Sequence, residues 1–158
     1  MIVVWGIAVL CTLFLSSCKR PEVLDNSTLV NSARNVALTF GPAYVPFFKE
    51  ANVSDVQVFQ KEDYGDSFPE IKKQIGRKYY TVTFTYDSTA VKFDFGFAAR
   101  VRIWKDTGEP LDVIFGNGWG RNFFFLSFKE QTDHSANDYE KVASDSIVKV
   151  PLQTVHKP

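Results

Sequence analysis

The sequence predicts an α+β domain: N-terminal helices packed on a curved antiparallel sheet of four to five strands, one of them long and bent. Three observations carry this. Apolar residues from 29 to 40 recur at intervals of three and four, the period of a helix with one buried face. From 80 to 103 they alternate with polar residues at a period of two, the signature of strands. The chain has 158 residues, about one domain, and is 45% apolar and 15% aromatic, which suffices for a core.

In chain order, Leu29, Ala33, Val36, Ala37 and Phe40 define the first helix, with Ser27 or Thr28 as its cap and Gly41-Pro42 as its stop. Tyr44 to Ala51 suggests a second short helix, weakened by Pro46. Asp55 to Gln60 reads as a short strand with Val56 and Val58 on one face, although Phe59 breaks the alternation. Ser67-x-x-Glu70 has the form of a capping box. It opens a helix with Ile71 and Ile75 on one face and Gly76 as the positive-φ residue at its end.

Tyr80, Val82, Phe84 and Tyr86 alternate with Thr81, Thr83 and Thr85. After residues 87–90 the alternation resumes at Val91, Phe93, Phe95, Phe97, Ala99, Val101 and Ile103. Unbroken, this second strand would span roughly 46 Å at ~3.3 Å per residue, so a bend is expected at Gly96 or Ala98-Ala99. A four-residue loop at 87–90 would pair Tyr86 with Val91, Phe84 with Phe93, Val82 with Phe95 and Tyr80 with Phe97, all on one face. Phe93, Phe95 and Phe125 are accordingly expected inside. A turn at 106–110 would set Ile103 opposite Val113 and Val101 opposite Phe115. A glycine-rich turn, 116–121, leads to Asn122–Phe128, apolar on both faces and so read as a covered or central strand. Residues 129–158 are polar, with Ser146 to Val150 as a candidate edge strand.

The N-terminal stretch has a different character. Residues 1–17 carry no charged side chain, and Ile2 to Leu15 is almost wholly apolar. Fourteen residues fall short of the about 20 that span a bilayer as a helix, but suit a secretory signal. Leu15-Ser16-Ser17-Cys18 resembles the lipobox of bacterial lipoproteins. The resemblance implies cleavage before Cys18 and acylation of its thiol, palmitate included. It also implies residence in the bacterial cell envelope, on the outer membrane or the outer face of the inner one. Cys11 would leave with the signal, so no disulfide pair would remain. One feature departs from the pattern: Lys or Arg normally precedes the apolar run, and here the first basic residues are Lys19 and Arg20 behind it. An uncleaved anchor, ordinary secretion, and a buried apolar helix with an incidental cysteine are the alternatives. Residues 18–26 then read as a tether, and 27–128 as the folded domain.

In order and proportions residues 27–128 resemble the cystatin-like cone of the nuclear-transport-factor-two superfamily, where a curved sheet wraps a helix. That resemblance implies a fold and no activity, since such folds serve binding, scaffolding and catalysis alike. A small β-sandwich with peripheral helices is the other architecture considered.

Chemistry is sparse. Eighteen basic residues balance eighteen acidic ones, and no basic cluster is read from the chain, which argues against nucleic acid as a partner. Both histidines, His134 and His156, lie in the polar tail, and no metal-ligand spacing occurs, so neither a metal nor another cofactor is expected. The glycine-rich stretch Gly116–Asn122 lacks the Lys-Ser/Thr ending and the helix of a phosphate loop. It is either a tight hairpin with Trp119 folded back on the sheet, or a mobile loop that uses Trp119 and Arg121 to grip a partner. The second candidate surface is the polar face of the long strand: Asp94, Arg100, Arg102 and Trp104. If that face lines a concave sheet, Asp94 becomes a buried carboxylate beside arginines, able to serve as a general base. The expected function is a lipid-anchored envelope protein whose domain binds a protein or small ligand without catalysis. A small cone-fold enzyme using Asp94 is the alternative.

Overall fold

The computed structural model describes residues 24–135 and the backbone of 148–149; the apolar stretch and Cys18 lie outside the described residues. The α+β class holds. Helices accompany an open, antiparallel six-stranded sheet of β1 (Ala51–Val53), β2 (Gln57–Val58), β3 (Lys78–Phe84), β5 (Ala99–Trp104), β6 (Pro110–Phe115) and β7 (Gly120–Asn122), in the order β1-β3-β5-β6-β7 with β2 also paired to β3.

Helix α1 (Asn26–Phe40) forms where the spacing predicts, and buries Leu29, Ala33, Val36, Ala37 and Phe40. Its cap is Asp25, not Ser27 or Thr28: the Asp25 carboxylate accepts the Thr28 backbone N–H at 2.7 Å, so the helix starts within the expected tether. A 3-10 helix (Pro42–Phe47) follows in place of the predicted 44–51 helix. It releases Ala51 in time to join β1 (Ala51–Val53), which pairs with Val82–Phe84. Strand β2 (Gln57–Val58) lies within the expected 55–60 strand but with the opposite face inward. Val56 and Val58 are exposed, and Phe59 is buried. Ser54 bridges the two short strands: its N–H donates to the Thr81 carbonyl, and its hydroxyl oxygen accepts the Thr81 N–H.

Two one-turn helices come next, α2 (Lys61–Tyr64) and α3 (Pro69–Lys72). The capping box belongs to α2, between Gln60 and Asp63. At α3 the residue before the helix is Phe68, with Pro69 pre-setting the first turn, so Ser67 does not cap it. Ile71 is buried, Ile75 is exposed, and Gly76 takes a φ of +89°.

Strand β3 (Lys78–Phe84) has its predicted faces. The long strand does not exist as one piece. It splits into β4 (Val91–Lys92) and β5 (Ala99–Trp104), with 93–98 leaving the sheet between them. The partner of β3 is therefore β5, through Tyr80↔Ile103, Val82↔Val101 and Phe84↔Ala99, and not the 91–97 segment. The turn at 87–90 is present, nucleated by Asp87, which accepts the N–H and hydroxyl of Thr89. It leads to β4, which pairs with β8 (Val148–Lys149), the one part of the expected 146–150 strand that is described. In the excursion Phe93 goes into the core, against Tyr44 and Tyr86. Phe95 is 45% exposed and stacks on Phe97 instead.

Strand β6 (Pro110–Phe115) pairs with β5 two residues away from the expected register, Val101↔Val113 and Ala99↔Phe115. A bulge omits Leu111 from the ladder, which shortens the connection and turns Leu111 toward the second apolar cluster. Strand β7 (Gly120–Asn122) is short. Residues 123–127 do not extend it; the chain turns, and α4 (Phe128–Ser135) begins within the predicted strand. Phe125 is 53% exposed and is no core residue. Ser127 and Glu130 form the capping box of α4: Glu130 accepts the N–H and hydroxyl of Ser127, whose oxygen accepts the Glu130 N–H.

The core has two parts. On one sheet face, α1 covers Val82, Phe84, Val101, Val113 and Phe115. On the other face, Phe59, Ile71, Tyr79, Trp104 and Leu111 form a smaller cluster beneath α2 and α3, which leaves the rest of that face open.

Candidate functional site

Strand alternation puts Arg100, Arg102 and Trp104 on the sheet face away from α1, as the sequence implied. The three have different surroundings. Trp104 is buried among Phe59 and Tyr79, with the Arg77 guanidinium 4.0 Å from its ring centre, so its role is packing.

Arg102 is the hub of a largely buried ionic cluster. Its Nε donates to both Asp112 oxygens at 3.1 and 3.0 Å, and its Nη2 to Asp112 Oδ2 at 2.6 Å. Its Nη1 donates to Asp63 Oδ1 at 3.0 Å, and the Tyr64 hydroxyl donates to Asp112 Oδ2 at 2.6 Å. The side chains of Arg102 and Asp112 are only 13% and 1% exposed. Burial alone pulls the Arg102 guanidinium down, but the hydrogen bonds and charge of Asp112 outweigh it and hold the group well above its ordinary range. Burial, reinforced by the Asp112 charge, likewise holds the Tyr64 hydroxyl well above its ordinary range. The rings of Tyr79 and Tyr64 lie 5.1 and 5.3 Å from the guanidinium. The hydrogen-bonding partners come from α2, 39 residues before Arg102 at Asp63, and from the neighbouring strand β6, and no local motif announces Tyr64, Asp63 or Asp112.

Arg100 sits two residues earlier on the same face, opposite Thr83 and Ile114. It is half-buried, with its guanidinium 5.0 Å from the Phe97 ring centre. Asp94 is not brought to it by strand alternation, because the 93–98 excursion intervenes; the residue is exposed. The condition for an activated carboxylate, burial beside arginines, is not met there.

The glycine-rich stretch is a tight hairpin. The Phe115 N–H donates to the Trp119 carbonyl, the Gly118 N–H to the Phe115 carbonyl, and Gly118 takes a φ of +85°. Trp119 folds back and stacks on Phe115, ring centres 5.3 Å apart. Arg121 pairs with Val113 in the ladder, so it points to the α1 side, where its guanidinium lies 5.9 Å from the Phe40 ring centre and donates to Gln131. Burial lowers its pKa. Trp119 and Arg121 thus belong to the opposite face from Arg100 and Arg102, although both border the same edge of the sheet.

Two clefts share part of their walls here, one on the open face and one at its β7 edge. One, about 530 Å³, is lined by Ser54, Gln57, Thr81, Thr83, Arg100 and Arg102. The other, about 630 Å³, wraps the β7 edge and is bordered by Trp119, Arg121, Phe125, Leu126 and Gln131. Tyr64 and Ile114 line both. Ligand sites commonly occupy ~300–1,000 Å³. Phe125 and Leu126, 53% and 50% exposed, supply apolar surface that the fold leaves unused.

Lys72, Lys73, Arg77, Lys78 and Lys105 come from adjoining segments, joined by the Lys105 N–H on the Lys78 carbonyl and by Arg77 on Asp106. Among the described residues no group of three or more His, Cys, Asp or Glu side chains is placed to hold a metal, and no helix is long and apolar enough to cross a membrane.

The chain matches no protein-family model, and neither a curated protein nor a solved structure is significantly similar to it. The lipoprotein and cystatin-like likenesses accordingly rest on the residues quoted for them.

Proposed function

We propose that the protein is a lipid-anchored component of the bacterial cell envelope whose domain binds a ligand or partner on the open sheet face without catalysing a reaction. The anchor rests on Leu15-Ser16-Ser17-Cys18 and the apolar run before it. Binding rests on one observation: two clefts that share Tyr64 and Ile114 in their walls, one on the face that α1 does not cover and the other around the adjoining β7 edge. The side chains there favour holding over reacting. Asp112 is saturated by Arg102 and Tyr64, and both oxygens of Asp63 are occupied, by Arg102 and by the Gln60 N–H. Asp94 is exposed and lines neither cleft, so the enzyme reading gains no support.

Two measurements test this. Metabolic labelling with an alkyne fatty acid marks the wild-type chain and not Cys18→Ser; equal labelling removes the anchor. A photo-crosslinking residue at Thr83 or Ile114, in the native host, forms adducts that the same residue at exposed Asn35 on α1 does not. Identical adducts at all three positions remove the binding face.

A further inference from the structure

We infer that the open face takes a small amphipathic carboxylate, its carboxylate on Arg100 and Thr83 and its apolar part lying across Ile114 toward Phe125 and Leu126. The inference rests on the reading of this face as a binding surface and adds the chemical class of the ligand. Its basis is the contrast between two arginines on one strand face. Arg102 has two carboxylates of its own, Asp63 and Asp112. Arg100, half-buried in the same cleft, has no carboxylate within ion-pair distance among the described residues. A guanidinium removed from water is stabilised by an anion, and its planar fork matches a carboxylate through two parallel N–H bonds.

The nearest acid in that cleft is not available to it. Asp63 is held on one oxygen by Arg102 and on the other by the Gln60 backbone. Thr83 faces Arg100 directly across the ladder, and its hydroxyl has no protein hydrogen-bond partner among the described residues. It is therefore a second donor beside the guanidinium. Asp63 and Asp112 together exceed the charge of Arg102 by one, so what draws an anion here is short-range: the N–H fork of Arg100 and the hydroxyl of Thr83.

The other half of the ligand follows from the second cleft. Ile114 is Arg100's neighbour on β6, and Gly120, with no side chain, is Ile114's neighbour on β7. From Arg100 outward the ladder thus presents the Ile114 side chain and then the bare backbone of Gly120. The second cleft is bordered by Phe125 and Leu126, both half-exposed, with Phe125 edge-on to exposed Phe68 at 5.5 Å. Strand spacing of ~4.8 Å puts β7 about 10 Å from β5, within the reach of a medium-chain acyl tail. A purely polar anion would leave this surface in water. A purely apolar ligand would leave Arg100 without a counter-charge.

The test uses the full chain in phospholipid nanodiscs, titrated with octanoate and with its uncharged analogue octanamide. Tryptophan fluorescence is read against empty nanodiscs. Octanoate is expected to saturate and to bind at least tenfold tighter than octanamide. Arg100→Gln should reduce octanoate to the octanamide level without moving the melting temperature, and Arg100→Lys should retain part of the preference. Phe125→Ser should weaken both probes alike. Equal saturable binding of the two probes overturns the carboxylate assignment and leaves the binding face standing. Absence of saturation by either probe, or an Arg100→Gln variant that still prefers octanoate, overturns the inference; the crosslinking comparison at Thr83 and Ile114 then judges the face separately.

Discussion

Asp112→Ala removes a buried, multiply bonded carboxylate, and the structure permits its cost to be worked out. The side chain is 1% exposed and accepts from Arg102 Nε, Arg102 Nη2 and the Tyr64 hydroxyl. Its loss leaves the Arg102 guanidinium, 13% exposed, with Asp63 as its only carboxylate among the described residues, and leaves the Tyr64 hydroxyl without its acceptor. Breaking a buried pair by deleting one partner costs about 3–5 kcal/mol. A hydrogen bond to a charged group contributes about 1.5–3 kcal/mol, part of which is already in that figure because the groups share one network. Asp63 remains, which argues for the middle of the range, about 4 kcal/mol. For a domain of this size that lowers Tm on the order of 20 °C. Urea unfolding followed by tryptophan fluorescence reads the loss, because Trp104 is buried against Phe59 and Tyr79 in the adjoining cluster. The double variant Arg102→Met with Asp112→Leu should recover part of the stability, since neither member of the buried pair is left alone, while Asp63, 23% exposed, loses its guanidinium. An Asp112→Ala loss below about 1 kcal/mol would refute the buried-network argument. So would a double variant less stable than the sum of its single ones.

Three further outcomes follow from the same geometry. The unfolded chain releases the tyrosine proton near pH 10 while folded Tyr64 keeps it, so this contribution is complete below that pH and falls as pH rises above it. Urea midpoints between about pH 9 and 11 should decline, and decline less in Tyr64→Phe. Phe93→Ala should cost about 3–5 kcal/mol and Phe95→Ala less than about 1, because Phe93 is 7% exposed and Phe95 45%; equal losses in denaturant titrations would restore the single long strand. Trp119→Ala should destabilise by about 1–3 kcal/mol, since the ring stacks on buried Phe115; an unchanged melting curve would make the hairpin the mobile grip that the glycines suggested.

Local pattern showed much of this fold, and it failed where distant contacts decide. Helix α1 and strand β3 were legible because each has one buried face, so period and burial coincide. The alternation from Val91 to Ile103 was misleading because a period of two persists whether or not the segment hydrogen-bonds to a neighbour. Phe95 and Phe97 satisfy each other by stacking outside the sheet. A clue was present at Ala98-Ala99, where two consecutive residues are buried and the alternation fails. The run Phe123–Leu126 looked like a doubly covered strand. Its residues instead divide, Phe123 to the α1 side, Phe124 to the second cluster, Phe125 and Leu126 outward. The start of α4 was readable, since Ser127-Phe128-Lys129-Glu130 has the same capping form noted at Ser67. At the site, alternation was enough to place Arg100 and Arg102 together. That one is neutralised and the other is not depends on Asp63 and Asp112, 39 and 10 residues from Arg102, and only tertiary structure shows it.

That distinction can be observed atom by atom. In an arginine Nε–H NMR spectrum of the full chain in nanodiscs, the Arg102 signal should be sharp and protected from solvent exchange by its Asp112 bonds, and the Arg100 signal should exchange faster. Adding octanoate should move and protect the Arg100 signal while leaving Arg102 in place. A shift at Arg102 with none at Arg100, or no shift at either, would contradict a binding face organised around a free guanidinium beside a locked one.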